Sequence, residues 1–287
     1  MASFAVPQDI RIGAYSVTVQ KRLAEGGFGF VDLVYEQGSR SDFVLKRCGV
    51  QNSESFDIVK KEIKMLQTFA GAYVVKLLAN DMATTARGTK EALLLLEFCP
   101  GGHLLDRLLA LNGQTLSQPA ALKIFGQLCL ALKPMHENDP PVTHRDLKLE
   151  NILFGVDGNL RLCDFGSCVV GPVYINSQES RANAEEVIQK TTTQMYRSPE
   201  LVDLYMREVL TEKSDIWALG CIFYSLCFLK HPFQDAGNLG ISNGLSKMPD
   251  NKDVSVDSRT LITRMFDLDP EGRPSVSQVQ CTVYINQ

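Results

Sequence analysis

The sequence predicts an α+β fold, in which a small β-rich lobe is followed by a larger, mainly helical lobe. Alternating apolar and polar residues dominate the first hundred positions, whereas apolar residues at spacings of three and four dominate most of the rest. Pro100-Gly101-Gly102 separates the two patterns and is a strong breaker of regular structure. Because 287 residues suffice for two modest domains, we expect one lobe on each side of this break and a cleft between them.

The first lobe is predicted to contain short antiparallel strands and one helix. Strands are expected at 15–23, 30–35, 43–46 and 92–98, and the helix at 56–69. Within the helix, Val59, Glu62, Ile63 and Leu66 share one face. An acidic residue therefore lies on the apolar face, where a carboxylate is costly to bury unless it is paired.

The second lobe is predicted to be helical except for one hairpin. Ser117 is suited to cap a helix that has Pro119 in its first turn. The apolar runs 152–154 and 160–162 flank Asp157-Gly158, which is a hairpin signal. Residues 167–194 are polar and are expected to be irregular, and the helical pattern is expected to fade after Val279.

Composition and charge exclude several classes of protein. Apolar residues make up 45% and charged residues 22%, which is typical of a folded globular chain. The formal charge is 29 − 33 = −4 and no basic block is present, so nothing favours a nucleic acid partner or an anionic membrane surface. The eight cysteines have no C-x-x-C spacing, which disfavours zinc and disulfides. The apolar run 217–229 is too short to span a bilayer, so we expect a cytoplasmic protein without a transmembrane segment.

Two features of the first lobe are suited to bind phosphate. Segment 25–31 reads EGGFGFV between two predicted strands, and such glycines let backbone N–H groups approach phosphate oxygens. A simple glycine-rich turn remains an alternative interpretation. Lys46 ends an apolar strand, and an ion pair with Glu62 would both satisfy the buried acid and direct an ammonium group towards a phosphate.

The predicted hairpin of the second lobe brings two possible metal ligands together. Asn151 is expected to open its first strand and Asp164 to close its second, so antiparallel pairing places both side chains at the same end. Amide and carboxylate oxygens are ligands that Mg²⁺ accepts together with nucleotide phosphates. Asp146 lies on the loop before the hairpin, where it could accept the proton of a substrate hydroxyl.

These segments together resemble the eukaryotic protein kinases. The matching features are, in order, the glycine turn, Lys46, Glu62, HRDLKLEN at 144–151, DFG at 164–166, SPE at 198–200, DIWALG at 215–220 and Arg273. The resemblance covers nearly the whole chain and implies a bilobal protein-kinase fold. It implies an N-lobe at 1–98 that covers the nucleotide, and a C-lobe at 99–287 with an activation segment at 164–200. Lys148 and Thr193 match the serine/threonine pattern.

The resemblance also implies roles for individual residues, with ATP and Mg²⁺ as cofactors. Asp146 would be the catalytic base, and Lys148 would contact the γ-phosphate. Lys46, held by Glu62, would bind the α- and β-phosphates, and Asn151 and Asp164 would ligate the metal. The nucleotide would contact Leu23, Ala24, Gly26, Gly27, Gly29, Val31, Val44, Lys46, Leu96, Glu97, Phe98, Cys99, Leu153 and Asp164. Leu96 would be the gatekeeper at the back of the adenine slot.

Further pairings are expected from the same resemblance. Phe165 and His144 would pack with Leu66, and Glu200 would form a buried ion pair with Arg273. Arg145 could bind a phosphate on the activation segment, with Thr191, Thr192 or Ser180 as candidate acceptors; ordinary polar loop residues remain the alternative.

A narrower resemblance is to the Numb-associated kinases, especially their cyclin-G-associated and adaptor-associated members. The segments that carry it are 23–29 (LAEGGFG), 97–102 (EFCPGG), 163–167 (CDFGS), 192–200 (TTQMYRSPE), 201–205 (LVDLY) and 231–233 (HPF). This resemblance implies clathrin-adaptor medium chains as protein substrates, a peripheral location at endocytic or vesicle membranes, and binding of ATP-competitive inhibitors.

Two positions depart from the general kinase pattern, and one alternative function remains open. Ala24 replaces the first glycine of the turn, and Val44 replaces the alanine that usually covers the adenine, so the adenine slot is expected to be narrower. The alternative is a nucleotide-binding pseudokinase scaffold. The complete set of catalytic residues disfavours it.

Overall fold

The computed structural model describes residues 9–26, 29–85, 88–234 and 236–285. It divides into two compact units, and the division falls between Pro100 and Gly101. The first unit is rich in β-structure and the second is mainly helical. The predicted α+β architecture is therefore confirmed.

The described part of the first unit contains a six-stranded antiparallel sheet in the order β1-β2-β3-β4-β6-β5. Its elements are β1 (Asp9–Ile12), β2 (Tyr15–Gly26), β3 (Gly29–Glu36), β4 (Ser41–Val50), α1 (Ser53–Thr68), β5 (Leu77–Thr84) and β6 (Lys90–Glu97). All four predicted strands and the predicted helix are present, with ends that differ by a few residues. The sequence did not predict β1 or β5. Ile12, Val17, Val34, Leu45 and Leu95 form the buried core on one face of the sheet.

Helix α1 shows how the sequence sets the position of Glu62. The Asn52 side chain accepts a hydrogen bond from the backbone N–H of Ser55, and the Ser55 side chain returns one to the backbone of Asn52, which fixes the start of the helix. Glu62 is buried on the same face as Val59 and Leu66. This is the face that the apolar spacing predicted.

The second unit is built around one buried helix. Its described helices are α2 (Leu104–Ala110), α3 (Gln118–His136), α4 (Gln178–Thr191), α5 (Pro199–Val202), α6 (Lys213–Phe228), α7 (Gly237–Ser242), α8 (Val256–Met265) and α9 (Val276–Ile285). Its short strands are β7 (Val142–Thr143), β8 (Ile152–Phe154), β9 (Leu160–Leu162), β10 (Val169–Val170), β11 (Val173–Tyr174) and β12 (Val209–Leu210). Every residue of α6 from Ser214 onwards is buried. None of the described helices is both long enough and apolar enough to cross a membrane.

Two predictions for this unit are wrong. Residues 167–194 are not irregular throughout, because they contain the 14-residue helix α4. Its start is fixed by a capping box in which the side chains of Ser177 and Ser180 each bond the other's backbone. Helical structure also does not fade after Val279, since α9 continues to Ile285 and buries Val279 and Val283.

The cysteines behave as small apolar side chains. All eight lie in the described part of the chain, and none forms a disulfide bond there. Six of them are buried, whereas Cys281 on α9 is exposed. Burial raises the pKa of the Cys129 and Cys227 thiols to about 12, because the thiolate loses its hydration.

Candidate active site

The glycine turn of the first unit is shaped by close backbone packing. Gly26 at the end of β2 pairs with Gly29 at the start of β3. Gly29 has a φ of 141°, and a Cβ built there would lie 1.8 Å from the carbonyl oxygen of Arg47, so a side chain cannot be accommodated. Gly27, which was also predicted to contact the nucleotide, lies outside the described residues.

One face of the sheet carries five of the predicted nucleotide contacts, namely Ala24, Val31, Val44, Lys46 and Leu96. Val31 pairs with Ala24 on one side and with Lys46 on the other, and Val44 pairs with Leu96. Directly paired residues of antiparallel strands project on the same side, so these side chains share one face. Leu23 lies at an irregularity in the pairing of β2 with β3 and is exposed.

Hydrogen bonds at the end of β6 fix the position from which the chain continues to Phe98 and Cys99. The Glu97 N–H donates to the carbonyl oxygen of Lys76 over 2.9 Å, and the Lys76 N–H donates to Oε1 of Glu97 over 2.8 Å. Phe98 and Cys99 follow directly, and Cys99 is buried. The chain therefore leaves the sheet in a defined direction at the predicted adenine-binding segment.

The predicted ion pair between Lys46 and Glu62 is present. The Lys46 ammonium Nζ lies 2.6 Å from Oε1 of Glu62. The Glu62 side chain is only 5% exposed, and that of Lys46 is 20% exposed. The pair thus satisfies the buried carboxylate and holds the ammonium group on the face shared with Val31.

In the second unit, the loop that follows β7 is anchored to the central helix. Asp215 on α6 accepts hydrogen bonds from the backbone N–H of His144 over 2.7 Å and of Arg145 over 2.9 Å. His136 lies 3.0 Å from the same carboxylate. Burial by itself would raise the pKa of Asp215, but the hydrogen bonds and the charge of the histidines outweigh it, so the pKa is lowered. Asp215 thereby fixes the backbone next to Asp146.

Asp146 is at the centre of a network of donors. Its Oδ2 accepts from Lys148 Nζ over 2.7 Å and from Asn151 Nδ2 over 3.2 Å. Its Oδ1 accepts from the backbone N–H and the hydroxyl of Thr193 over 3.1 and 2.7 Å. The structure thus brings the side chains of Lys148 and Asn151 to Asp146. Thr193 was not predicted as a site residue, although it belongs to the motif that indicated the serine/threonine pattern.

The hairpin predicted for the metal ligands is also present. Ile152 pairs with Leu162, and the Cys163 N–H donates to the carbonyl oxygen of Asn151 over 3.0 Å. Asn151 lies in the turn just before β8 rather than within the strand, and Asp164 follows two residues after β9 with a φ of 64°. Both residues therefore lie at the same end of the hairpin.

The chemistry of these two side chains suits a magnesium ion. Asn151 Nδ2 donates to the backbone oxygen of Asp146 over 2.8 Å, so its amide oxygen faces the opposite way. An amide oxygen and the Asp164 carboxylate are hard oxygen ligands of the kind that Mg²⁺ prefers. This donor set fits the metal that the sequence implies.

The second unit also contains further residues for which the sequence predicted contacts. The His144 and Phe165 rings pack edge to face with centroids 5.2 Å apart. Leu153 lies in the middle of β8 opposite Arg161. Glu200 and Arg273 form the predicted buried ion pair, with two contacts of 2.8 Å, and are 3% and 0% exposed.

The three candidate phosphate acceptors lie at the two ends of α4. Ser180 belongs to the capping box of α4, and the hydroxyls of Thr191 and Thr192 donate to carbonyl oxygens one turn earlier in that helix. Thr192 Oγ1 also accepts from Arg197 Nε over 2.7 Å. Arg145 is buried and has a φ of 72°.

A six-stranded sheet with a lysine–glutamate pair, followed by a helical unit with this aspartate network, is the arrangement that the sequence predicted for a protein kinase domain. Comparison with known families gives the same class: the model of the protein kinase domain matches residues 17–285. The chain therefore belongs to the protein kinase domain family.

Curated relatives include three serine/threonine-protein kinases. Two are probable enzymes of Dictyostelium discoideum, 36% identical over 274 residues and 38% identical over 278 residues. The third is ppk30 of Schizosaccharomyces pombe, 34% identical over 271 residues. These matches cover 94%, 96% and 94% of this chain but 24%, 34% and 28% of the relatives. The chain thus spans about a quarter to a third of the length of these relatives.

Proposed function

We propose that the chain is a serine/threonine protein kinase that transfers the γ-phosphoryl group of ATP to a Ser or Thr hydroxyl of a protein. The observation that carries this proposal is the Asp146 carboxylate, which Lys148, Asn151 and Thr193 hold in one orientation. Such a fixed carboxylate is suited to receive a hydroxyl proton. Membership of the family and the names of the three relatives support the same reaction.

In the proposed reaction the substrate hydroxyl oxygen attacks the γ-phosphorus. The new O–P bond forms as the bond from phosphorus to the β,γ-bridging oxygen breaks, and the hydroxyl proton passes to Asp146. Lys148 would stabilise charge on the transferred group, and Lys46, oriented by Glu62, would contact the α- and β-phosphates. Rate would come mainly from alignment and from fixed charge.

Asn151 and Asp164 would hold the magnesium ion through their side-chain oxygens. When bound, Mg²⁺ neutralises charge on the phosphate oxygens. Around the nucleotide, Ala24, Val31, Val44 and Leu96 would supply the apolar contacts from the sheet. We expect the extra methyl groups of Val44 to narrow the adenine slot compared with alanine.

The test is a comparison of Asp146→Asn with the unaltered chain. We expect phosphotransfer to fall roughly 10²–10⁴-fold, because the base and its orientation are lost, while nucleotide binding changes little. Asp253→Asn, an exposed change in the same unit, is the matched control and should retain full activity. Phosphotransfer by Asp146→Asn at the unaltered rate would contradict the assignment. A chain that binds nucleotide but shows no Asp146-dependent turnover would be the pseudokinase scaffold.

We further propose that the protein substrates include clathrin-adaptor medium chains and that the protein acts at endocytic or vesicle membranes. The segments shared with the Numb-associated kinases support this narrower proposal. The test is phosphorylation of purified adaptor medium chains beside an equal concentration of unrelated Ser/Thr-containing proteins. Equal rates on both sets would contradict it without affecting the general kinase assignment.

A further inference from the structure

A groove of about 370 Å³ runs beside α4 in the second unit and is not used by the proposed reaction. One face of α4 lines it through Arg181, Glu185 and Ile188, which are spaced four and three residues apart. Leu204 and Tyr205, which follow α5, contribute to its lining. Tyr205 is 79% exposed, although it is a large aromatic side chain.

The two arginines that line the groove are held in place by hydrogen bonds that use only some of their guanidinium N–H groups. Arg181 Nε donates to the carbonyl oxygen of Leu204 over 3.1 Å, and its guanidinium lies 4.9 Å from the Tyr205 ring centroid. Arg197 Nε and Nη2 both donate to Thr192. Within the described residues, neither guanidinium has a carboxylate within 4.0 Å. Burial lowers the pKa of Arg197, and the negative charge of Asp146 offsets part of this effect.

Two carboxylates also line the groove, and each accepts a hydrogen bond from another residue that lines it. Glu185 accepts from Gln189 Nε2 over 3.3 Å, and Asp203 Oδ1 accepts from the backbone N–H of Tyr205 over 2.9 Å. Among the described residues, Arg181 has no ion-pair partner, and Arg197 interacts with the charge of Asp146 without a contact within 4.0 Å. An anionic side chain is attracted to Arg181 and repelled by Glu185.

The groove is connected to the reaction centre through consecutive residues. Arg197 bonds Thr192, and the next residue, Thr193, donates two hydrogen bonds to Asp146. Arg197, which lines the groove, therefore contacts the residue next to the one that holds the proposed catalytic carboxylate.

We propose that this groove binds the stretch of protein substrate that flanks the acceptor hydroxyl, and that Arg181 and Arg197 select an acidic or phosphorylated side chain there. The inference rests on the proposed kinase function and adds a substrate class to it. Guanidinium groups recognise carboxylates and phosphates through paired charge-assisted hydrogen bonds, which explains why the two ligands share one site.

The test uses a Ser/Thr peptide library in which glutamate, phosphoserine or lysine is fixed at one position at a time. We expect kcat/KM to rise about tenfold for glutamate or phosphoserine at one flanking position, the ratio that a single charge-assisted contact supplies. Arg181→Ala should remove this preference and Arg181→Glu should transfer it to lysine at the same position. Lys190→Glu is the matched control, because Lys190 lies on α4 but does not line the groove. It should retain the preference.

The possible outcomes distinguish a failure of the groove proposal from a failure of the proposed kinase function. A preference for phosphoserine alone would restrict the occupant to phosphorylated substrates, and a preference for both anions would establish the broader class. An active enzyme with no anionic preference at any position, or a preference that survives Arg181→Glu, would overturn the inference and leave the kinase function intact. If no peptide is phosphorylated, direct binding of the phosphoserine peptides, measured by fluorescence anisotropy, decides the matter. Binding that Arg181→Glu weakens would support the groove, and equal or absent binding would reject it.

Discussion

Thr193 and Asp146 are joined by two hydrogen bonds to a single carboxylate oxygen, one from the Thr193 backbone and one from its hydroxyl. Lys148 Nζ lies 3.1 Å from the same hydroxyl and 2.7 Å from the other carboxylate oxygen. The three side chains therefore form a closed set of contacts. This set attaches the chain that follows α4 directly to the proposed catalytic aspartate.

Removal of the Thr193 hydroxyl should slow phosphotransfer without weakening nucleotide binding. Thr193→Ala loses two of the side-chain contacts around Asp146 and Lys148, so we expect kcat to fall about tenfold, the ratio that corresponds to roughly 1.4 kcal/mol. Thr193→Ser keeps the hydroxyl and should remain close to the unaltered rate. Steady-state kinetics at saturating ATP measure this. Equal loss in the Ser and Ala variants would show that the methyl group, not the hydroxyl, matters.

The Lys46–Glu62 pair is expected to serve the reaction more than the fold. Lys46→Met leaves Glu62 buried without its partner, so the variant should lose both turnover and stability. The double variant Lys46→Met/Glu62→Met removes the unpaired charge and should recover the melting temperature but not the turnover. Lys60→Met, an exposed change on α1, is the control. Recovery of turnover in the double variant would show that the pair is only structural.

The Glu200–Arg273 pair should contribute strongly to the stability of the second unit. Glu200→Ala leaves a fully buried guanidinium without its carboxylate, which typically costs about 3–5 kcal/mol of unfolding free energy. The exposed pair of Arg207 with Asp269, at 2.9 Å, offers a comparison, and Arg207→Ala should cost about 0–1 kcal/mol. Urea denaturation of both variants gives the difference. Similar losses would contradict the effect of burial.

His231 should make the folded state less stable in mild acid. Burial lowers the pKa of this imidazole to about 4, and its Nδ1 accepts a hydrogen bond from the backbone N–H of Phe233. The unfolded chain, with a pKa of about 6.5, binds more protons between these values. The free energy of unfolding should therefore fall as pH decreases from about 6.5 towards about 4. Denaturation curves for His231→Asn, which cannot titrate, should show a smaller decrease over this range. An identical pH dependence would contradict the role of His231.

Local patterns predicted much of the fold, but helix α4 shows where they fail. Of its fourteen residues only Ile188 is buried, so the helix has no apolar face that a periodicity argument could detect. The spacing of Ser177 and Ser180 was the available signal, since it allows a reciprocal cap. Strand β1 has only four residues, which is too short for alternation to be distinctive.

The site could be predicted where the chemistry of a residue demanded a partner or where a local motif brought two residues together. A buried acid on an apolar helix face required a partner, and Lys46 was the predicted one. The hairpin placed Asn151 and Asp164 at the same end. By contrast, the bond of Thr193 to Asp146 spans 47 residues, and that of His144 to Asp215 spans 71. Contacts over such separations depend on the packing of whole helices, which no local pattern encodes.

The cysteines differ in exposure, which allows their selective chemical labelling. The thiolate is the form of cysteine that attacks alkylating reagents, so the buried Cys129 and Cys227 thiols, whose pKa values are raised to about 12, should resist modification while the chain is folded. Cys281, exposed on α9, is therefore the first thiol that a fluorophore or a spin label should reach, followed by the partly exposed Cys163. A label that mass spectrometry detects on any of the six buried cysteines would report that part of the interior opening, without any change to the sequence.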